Sequence, residues 1–299
     1  MRTFPDGVRV DQGRGGLERL VLEAAESETH VYTHGANVLH FQPKGGHPVL
    51  TASSRSEFVA GAPGKAIRGG VPICFPWFGG KAGDAAAPPH GVARLLTWTI
   101  DAVTKESDGR LRAVLSLANG AYTRGQFPHD FALTFTVTAG RSLEMALAVR
   151  NTGAGPFTFE EALHSYLAVS DVRQIAITGL EKTTYIDKTD ALRRKAAADE
   201  PLVLCGETDR VFLGTRARVA LSDPGWQRRI VVSKSGSDTT IVWNPWSEKA
   251  KTIPDLGDAD WPGMVCIETA NAADNAITLE PGQAHTLTAL IEAHSGSAS

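Results

Sequence analysis

Large apolar residues recur at every second position along most of this chain, and that spacing constrains the fold more than any other feature. Between Phe131 and Val137 they alternate with Ala and Thr, and Leu143 to Val149 shows the same alternation. Because successive side chains of a β-strand point to opposite faces, period two indicates strands with one buried face. Further short strands are predicted at residues 111–117, 173–178, 217–221, 230–233, 239–243, 264–268, 277–280 and 286–292.

Turn sequences separate these strands, and helical patterns are scarce. Pairs such as Asp108-Gly109 and Pro281-Gly282 are typical of turns. The best helix candidate, residues 190–200, has no apolar stripe after Leu192, so we predict a loop or a short surface turn there. Without crossover helices the strands cannot form the parallel sheet of a nucleotide-binding fold. The pattern therefore predicts an all-β antiparallel sandwich with few or no long helices.

Length and composition are consistent with one large β-domain over residues 1–299. The chain is 42% hydrophobic and 21% charged, the balance of a globular protein. No internal repeat divides it, so we expect a core over about residues 17–292 and a flexible C-terminal tail at residues 295–299. A formal charge of −3 without blocks of like charge argues against nucleic acid or an anionic membrane as the partner. We expect a monomer.

The compartment and the redox state follow from what the sequence lacks. Residues 1–7 show no apolar signal run, and no stretch of about 18 apolar residues follows, so we expect a cytoplasmic protein. Widely separated cysteines predict neither a disulfide framework nor a structural zinc site. The cysteines are Cys74, Cys205 and Cys266.

A cluster of histidines near the N-terminus invites a metal interpretation, which we reject. Residues 30–35 favour extended structure, in which four residues span about 13 Å, too far for His30 and His34 to share one metal ion. We therefore expect no metal site. The histidines are His30, His34, His40 and His47.

Two segments rich in glycine differ from ordinary strand sequence. Residues 67–79 combine Gly, Pro and aromatic residues with Arg68, and residues 90–94 form a second turn that ends in Arg94. Two guanidinium groups converging on one site would suit a phosphate or a set of hydroxyls. Taken singly, each arginine is more often a solvated surface residue. No Gly-Lys-Ser/Thr follows the first segment, so it is not a nucleotide phosphate loop.

One acidic and one basic side chain lie in apolar strand sequence. Glu268 shares a strand face with Met264 and Cys266, so its carboxylate ends an apolar row. A glutamate at a strand end turned to water is an equally good interpretation. His164 shares a face with Tyr166 and small alanines, which leaves room for a ligand. A histidine in a strand is more often structural.

Aromatic residues supply the remaining candidates. The run from Trp243 to Trp246, together with Trp77, Phe78 and Trp98, can offer flat apolar faces to a sugar ring. Core packing explains a tryptophan equally well. We take Trp246 as a candidate substrate-binding residue.

Together these segments resemble the aldose 1-epimerase, or galactose mutarotase-like, superfamily, and within it the hexose-6-phosphate mutarotase (glucose-6-phosphate 1-epimerase) branch. The likeness spans roughly residues 30–292. Val92 stands where Phe is commoner, and Phe212 stands where Tyr is commoner, which leaves one hydroxyl fewer near the site. The motifs that carry the resemblance are residues 68–79, 90–94, 164–166, 179–188, 207–212, 243–246 and 264–268.

The resemblance implies an antiparallel β-supersandwich with a sugar cleft on one concave face. It implies that His164 and Glu268 are the catalytic acid–base pair, which interconverts the α and β anomers of a sugar. It also implies substrate contacts, with the two arginines at the phosphate-binding positions of the 6-phosphate branch. The contact residues are Arg68, His90, Arg94 and Asp209.

Anomer exchange requires one base at the C1 hydroxyl and one acid at the ring oxygen, and no cofactor. We assign ionised Glu268 as the base and protonated His164 as the acid. Because ordinary pKa values of about 4.3 and 6.5 give these states together only in mildly acidic solution, a raised pKa is predicted for His164. The alternatives are an epimerase of unphosphorylated sugars, a non-catalytic carbohydrate-binding module, and a structural partner, for which no separate interaction segment is present.

Overall fold

The computed structural model describes residues 4–296, and residues 297–299 of the predicted tail lie outside that range. The strands are β1 (Val8–Gln12), β2 (Glu18–Glu23), β3 (Ser27–Tyr32), β4 (Asn37–Pro43), β5 (Ile73–Cys74), β6 (Thr99–Lys105), β7 (Leu111–Ala118), β8 (Phe131–Ala139), β9 (Leu143–Asn151), β10 (Phe157–Phe159), β11 (Glu161–Leu163), β12 (Tyr166–Ala168), β13 (Ala176–Thr178), β14 (Thr184–Asp187), β15 (Arg193–Ala196), β16 (Thr208–Leu213), β17 (Val219–Asp223), β18 (Arg228–Ser235), β19 (Thr239–Asn244), β20 (Met264–Asn271), β21 (Ile277–Leu279) and β22 (Ala284–Ser295).

Helices are short within the described range. The two α-helices are α1 (Ala121–Gln126) and α2 (Trp246–Ala250). Single 3₁₀ turns are formed by Arg14–Gly16, Ala93–Leu95, Pro224–Trp226, Trp261–Gly263 and Ala273–Asn275. No helix among residues 4–296 is long and apolar enough to cross a membrane.

Two large antiparallel sheets form the sandwich. The site sheet has the order β15-β14-β16-β19-β20-β11-β5, with β12 also paired to β20, and the back sheet has the order β13-β17-β18-β22-β9-β8-β7-β6. Strands β1 to β4 form a smaller sheet, and β10 pairs with β21. The expectation of an all-β antiparallel fold with few helices is confirmed.

Strand β20 of the site sheet is buried on both faces, and the two faces have different surroundings. On β20, Val265 and Ile267 point into the main apolar cluster, which also contains Leu147 and Leu287 of the back sheet. The alternate residues of β20 point to the outer face, where Cys266 packs in a separate small cluster with residues of the segment after α2. Since Glu268 has the same parity as Cys266, its carboxyl group lies on this outer face.

One segment differs from its predicted state. Residues 190–200, predicted as a loop or turn, contain strand β15, which pairs with β14 from Asp187↔Arg193 to Thr184↔Ala196. The strand is at the edge of the sheet and is mostly exposed, so it has no apolar face that would produce a period-two signal. An ion pair from Lys195 to Asp187 reinforces the backbone pairing at 2.7 Å.

The main apolar cluster spans most of the chain. Its buried members run from Leu20 to Ile291 and draw on both large sheets and the smaller one. Ser295, in the predicted tail, closes β22 by pairing with Arg228.

Candidate active site

His164 and Glu268 face each other across neighbouring strands. Leu163, which ends β11, pairs with Thr269, and Tyr166, which begins β12, pairs with Cys266. This common register places His164, in the break between β11 and β12, opposite Glu268. Opposite residues of an antiparallel pair share a face, and Nε2 of His164 lies 3.4 Å from Oε1 of Glu268. The side chains are only 8% and 1% exposed, respectively.

The surroundings of this pair favour its uncharged form. Burial lowers the pKa of His164 well below its usual value, and the positive charges of Arg94 and Arg68 lower it further. Burial also raises the pKa of Glu268 well above its usual value, with a further contribution from the Asp209 carboxylate. The prediction of a raised His164 pKa is therefore wrong, because burial disfavours the charged imidazole and the cations expected to bind substrate add to that effect.

The carboxyl group of Glu268 also has unused hydrogen-bonding capacity. Neither carboxyl oxygen of Glu268 has a hydrogen-bond partner among residues 4–296. A buried polar group without a partner costs about 1–3 kcal/mol. A sugar hydroxyl or ring oxygen in this position would supply the missing hydrogen bonds.

His90 lies beside the pair in a fixed orientation. Its ring is 5.4 Å from that of His164, and its backbone N–H donates to the Gly79 carbonyl at 2.6 Å. Its Nδ1 accepts from the backbone N–H of Gly79 at 3.3 Å, and burial lowers its pKa well below the usual value. The neutral ring therefore carries its proton on Nε2. His90 has a φ of +63°, a conformation that costs energy and is typical of functional sites.

The turn after His90 requires a glycine. Gly91 has a φ of +75°, and a Cβ there would lie 2.0 Å from the Phe75 carbonyl oxygen. The backbone N–H of Val92 donates to the same oxygen at 2.8 Å. This close approach joins the two glycine-rich segments and fixes Arg94 relative to the sheet.

Three cations border the pair, and they differ in their partners. Arg68 is paired with Asp255 at 2.8 Å, and Lys188 is paired with Asp209 at 2.9 Å. Arg94 donates from Nη2 to the carbonyl oxygen of Pro89 at 2.7 Å. Its Nε is buried without a partner, and no carboxylate within residues 4–296 pairs with it.

Tyr166 and Trp243 form the aromatic wall of the site. The Tyr166 ring stacks on His164 at 4.8 Å, and Trp243 meets both rings edge-on at 6.0 Å. Trp243 also lies opposite Asp209 and Cys266 in the sheet. Tyr166 lies in the motif at residues 164–166 and Trp243 in the motif at residues 243–246. The alternation of side chains along a strand places both residues on the outer face of the site sheet. The sequence offers Trp243 as one of several aromatic candidates, although Trp246 is the one predicted to bind substrate, and it predicts for Tyr166 only a shared face with His164.

Trp246 occupies a different place. It begins α2, and its ring packs on Trp261 with the centroids 4.6 Å apart. None of the aromatic contacts among the described residues joins Trp246 to His164, whereas Trp243 has one. Sequence reasoning also passed over Lys188 and Asp255, since nothing local to them indicates which long-range partner they meet.

Histidine, cysteine and acidic residues do not gather into a metal-binding group. Within residues 4–296, no three of them are arranged to hold a metal ion. His30 and His40 instead lie in ring contact, with centroids 4.8 Å apart.

The sandwich, with His164 and Glu268 buried side by side on one sheet, is a β-supersandwich of the mutarotase class. The chain belongs to the aldose 1-epimerase family, whose model matches residues 18–292. It is therefore an isomerase.

Three relatives illustrate the membership. A protein of Cenchrus ciliaris named "Putative glucose-6-phosphate 1-epimerase" is 34% identical over 90% of this chain and 82% of its own length. An Escherichia coli K12 protein of the same name is 30% identical, over 90% and 88%. A crystal structure described as a putative mutarotase, YeaD, from Salmonella typhimurium superposes with a TM-score of 0.90 at 28% identity, covering 99% of this chain and 96% of that one.

Proposed function

We propose that the protein is a hexose-6-phosphate mutarotase that interconverts the α and β anomers of glucose 6-phosphate. The observation that carries this proposal is Arg94, a partly buried guanidinium that lies beside a buried His–Glu pair and has no carboxylate partner in the part of the chain that the structure describes. A buried charge is costly unless an opposite charge compensates it. A phosphate dianion would provide that charge, and the names of the relatives from Cenchrus ciliaris and Escherichia coli agree.

His164 and Glu268 would catalyse ring opening and closure. In our assignment Glu268 accepts the proton of the C1 hydroxyl as His164 protonates the ring oxygen, and the C1–O5 bond breaks to give the open-chain aldehyde. Rotation about C1–C2 presents the other face of the aldehyde, and the reverse transfers close the ring as the opposite anomer. Each group contributes about 10²–10⁴-fold.

The protonation state of the pair supports this cycle. In the free protein the one shared proton is favoured on Glu268, because burial disfavours both charged forms. Its transfer to His164, 3.4 Å away, creates the base and the acid without any exchange with solvent. A substrate phosphate would offset Arg68 and Arg94, two of the charges that lower the pKa of His164. Binding would thereby favour the reactive state.

The remaining contacts would orient the sugar. We propose that His90 donates from Nε2 to a sugar oxygen and that Arg68 and Asp209 bind the phosphate and a hydroxyl, respectively. Trp243, which lies edge-on to His164 and Tyr166, is a better candidate than Trp246 for the face that packs on the sugar ring.

One observation favours a second substrate class. Two of the three cations, Arg68 and Lys188, already have carboxylate partners, so the excess positive charge of the site is concentrated on Arg94. A site with so little excess charge is also compatible with an aldose 1-epimerase that acts on unphosphorylated sugars.

Anomer exchange measured by NMR tests the proposal. We would compare glucose 6-phosphate with glucose for the wild type, Arg94→Met and the control Arg150→Met, which alters an exposed arginine of the back sheet. Since hydrogen bonds to charged groups contribute about 1.5–3 kcal/mol, Arg94→Met should raise KM for the phosphorylated sugar about 10- to 100-fold and leave glucose unchanged. Equal losses would indicate a neutral-sugar epimerase, and binding without faster exchange would indicate a carbohydrate-binding module.

We further propose that residues 1–299 act as one catalytic domain and as a monomer in the cytoplasm. The apolar cluster shared by both large sheets and the smaller sheet supports a single folding unit. Light scattering at working concentration would test the monomer, since a dimer doubles the mass.

A further inference from the structure

Arg68 is held in one orientation by two partners. Its Nε donates to Oδ1 of Asp255 at 2.8 Å, and its Nη1 donates to the hydroxyl of Tyr166 at 3.2 Å. Arg68 and Asp255 are only 22% and 19% exposed, and Tyr166 is buried. With two of its three nitrogens engaged, the guanidinium plane is fixed, and Nη2 is left without a hydrogen bond to any residue in 4–296.

The segment that carries Asp255 is itself attached to the chain next to Arg68. Oδ2 of Asp260 accepts from the hydroxyl of Ser53 and the backbone N–H of Ser54, both at 2.8 Å. Ser53 in turn donates its backbone N–H to the carbonyl oxygen of Arg68 at 3.0 Å. The backbone of Arg68 and the acid that holds its side chain therefore belong to one hydrogen-bonded unit.

Apolar packing fixes the same segment against the site sheet. Leu256, next to Asp255, is 1% exposed and packs in a cluster with Tyr166, Met264 and Cys266. The unit therefore rests on the strand that carries Glu268. A displacement of Asp255 would require Leu256 to leave a buried position.

We propose that Asp255 is a positioning residue, which aims the Nη2 edge of Arg68 at the phosphoryl group of the substrate. This inference rests on the proposed function, because it assumes a phosphorylated sugar in the cleft. An arginine that is already ordered loses less side-chain entropy when it binds an anion. Asp255 also reduces the net charge of the pair, and its carboxylate lies on the side that Nε shares with Nη2, but it accepts only from Nε and is partly screened by solvent. Orientation is therefore the larger effect.

Binding of a non-reacting analogue tests this role apart from turnover. The probe is 1,5-anhydroglucitol 6-phosphate, which has no anomeric hydroxyl and cannot open its ring. Asp255→Ala should weaken its binding about three- to tenfold by calorimetry. Asp255→Asn, which keeps an acceptor for Nε, should lose less. The same variants should raise KM for glucose 6-phosphate by similar factors and change kcat by less than about twofold.

Two controls separate positioning from a general effect on the segment. Asp258 lies in the same segment as Asp255 and forms an exposed ion pair with Arg55. Asp258→Ala removes that ion pair and should leave binding of the analogue unchanged. In an Arg68→Met background, Asp255→Ala should cause no further loss, since Asp255 acts through Arg68.

The outcomes are distinct from those that test the proposed function. Tighter binding by Asp255→Ala, or an equal loss with and without Arg68, would overturn the positioning role. The positioning role would also be overturned if Asp255→Ala bound the analogue as tightly as Asp258→Ala does. If the wild type still preferred the phosphorylated sugar, the proposed function would be unaffected by that result. A wild type that treats glucose and glucose 6-phosphate alike would instead remove the proposed substrate class.

Discussion

Replacing both members of the His164–Glu268 pair should cost hardly more activity than replacing one. Glu268→Gln removes the proton-accepting oxygen, and His164→Asn removes the imidazole. Each loss should reduce anomer exchange about 10²- to 10⁴-fold. If the two groups acted independently, the double variant would lose about 10⁴- to 10⁸-fold.

The structure predicts instead that the losses do not multiply. The two side chains lie 3.4 Å apart, and their pKa shifts leave one proton for the pair to share. Removing either group ends the internal transfer that prepares the other, so the double variant should remain within about tenfold of the slower single variant. Residues that act as a unit show this behaviour.

Exchange spectroscopy of the two H1 signals of glucose 6-phosphate measures the effect over the spontaneous background. Glu268→Gln should fold normally, since burial already favours an uncharged carboxyl there. Glu161→Gln is the matched control, because Glu161 is a buried carboxyl of the same sheet that pairs with His285 rather than with His164. Near-normal exchange in either single variant, or a double loss equal to the product of the single losses, would refute the reasoning.

Two further predictions concern stability and the sugar face. The pKa of His285 is raised by Glu161, and burial raises the pKa of Glu161, so this pair binds more protons in the folded state than in the unfolded chain. The contribution of the pair to stability should therefore fall as pH rises past the ordinary values of about 4.5 and 6.5, and urea titrations between pH 5 and 8 should show His285→Asn losing less stability with rising pH than the wild type. Trp243→Ala should raise KM for the sugar about tenfold or more, whereas Trp246→Ala should change the melting temperature rather than KM. If Trp246→Ala raised KM and Trp243→Ala did not, Trp246 would again be the sugar-binding residue.

Alternation predicted every strand of the back sheet except β6, and β19 and β20 of the site sheet, because each of these strands has its own buried face. Strands β8 and β9 begin where the pattern predicts, at Phe131 and Leu143. Strand β15 was missed because an exposed edge strand is held by backbone pairing with β14, to which its side chains contribute little signal.

The site was predictable only in part, because its geometry depends on pairings between distant residues. That His164 lies opposite Glu268 follows from the register of β11 and β12 on β20, which no local pattern specifies. The ion pair between Arg68 and Asp255 likewise joins segments 187 residues apart. The lowered pKa of His164 comes mainly from burial and then from the charges of Arg94 and Arg68, which distant segments bring to it.

The uncharged state of the buried pair suits a reaction that begins and ends with neutral groups at the reacting atoms. Ring opening removes one proton from the C1 hydroxyl and adds one to the ring oxygen, so the sugar gains no charge over the step. A pair that holds one proton and exchanges it internally can return to its starting state after each turnover. Burial of His164 and Glu268, which would hinder a reaction that requires a lasting charge, is therefore compatible with the proposed transfer, in which Arg94 would bind the phosphate.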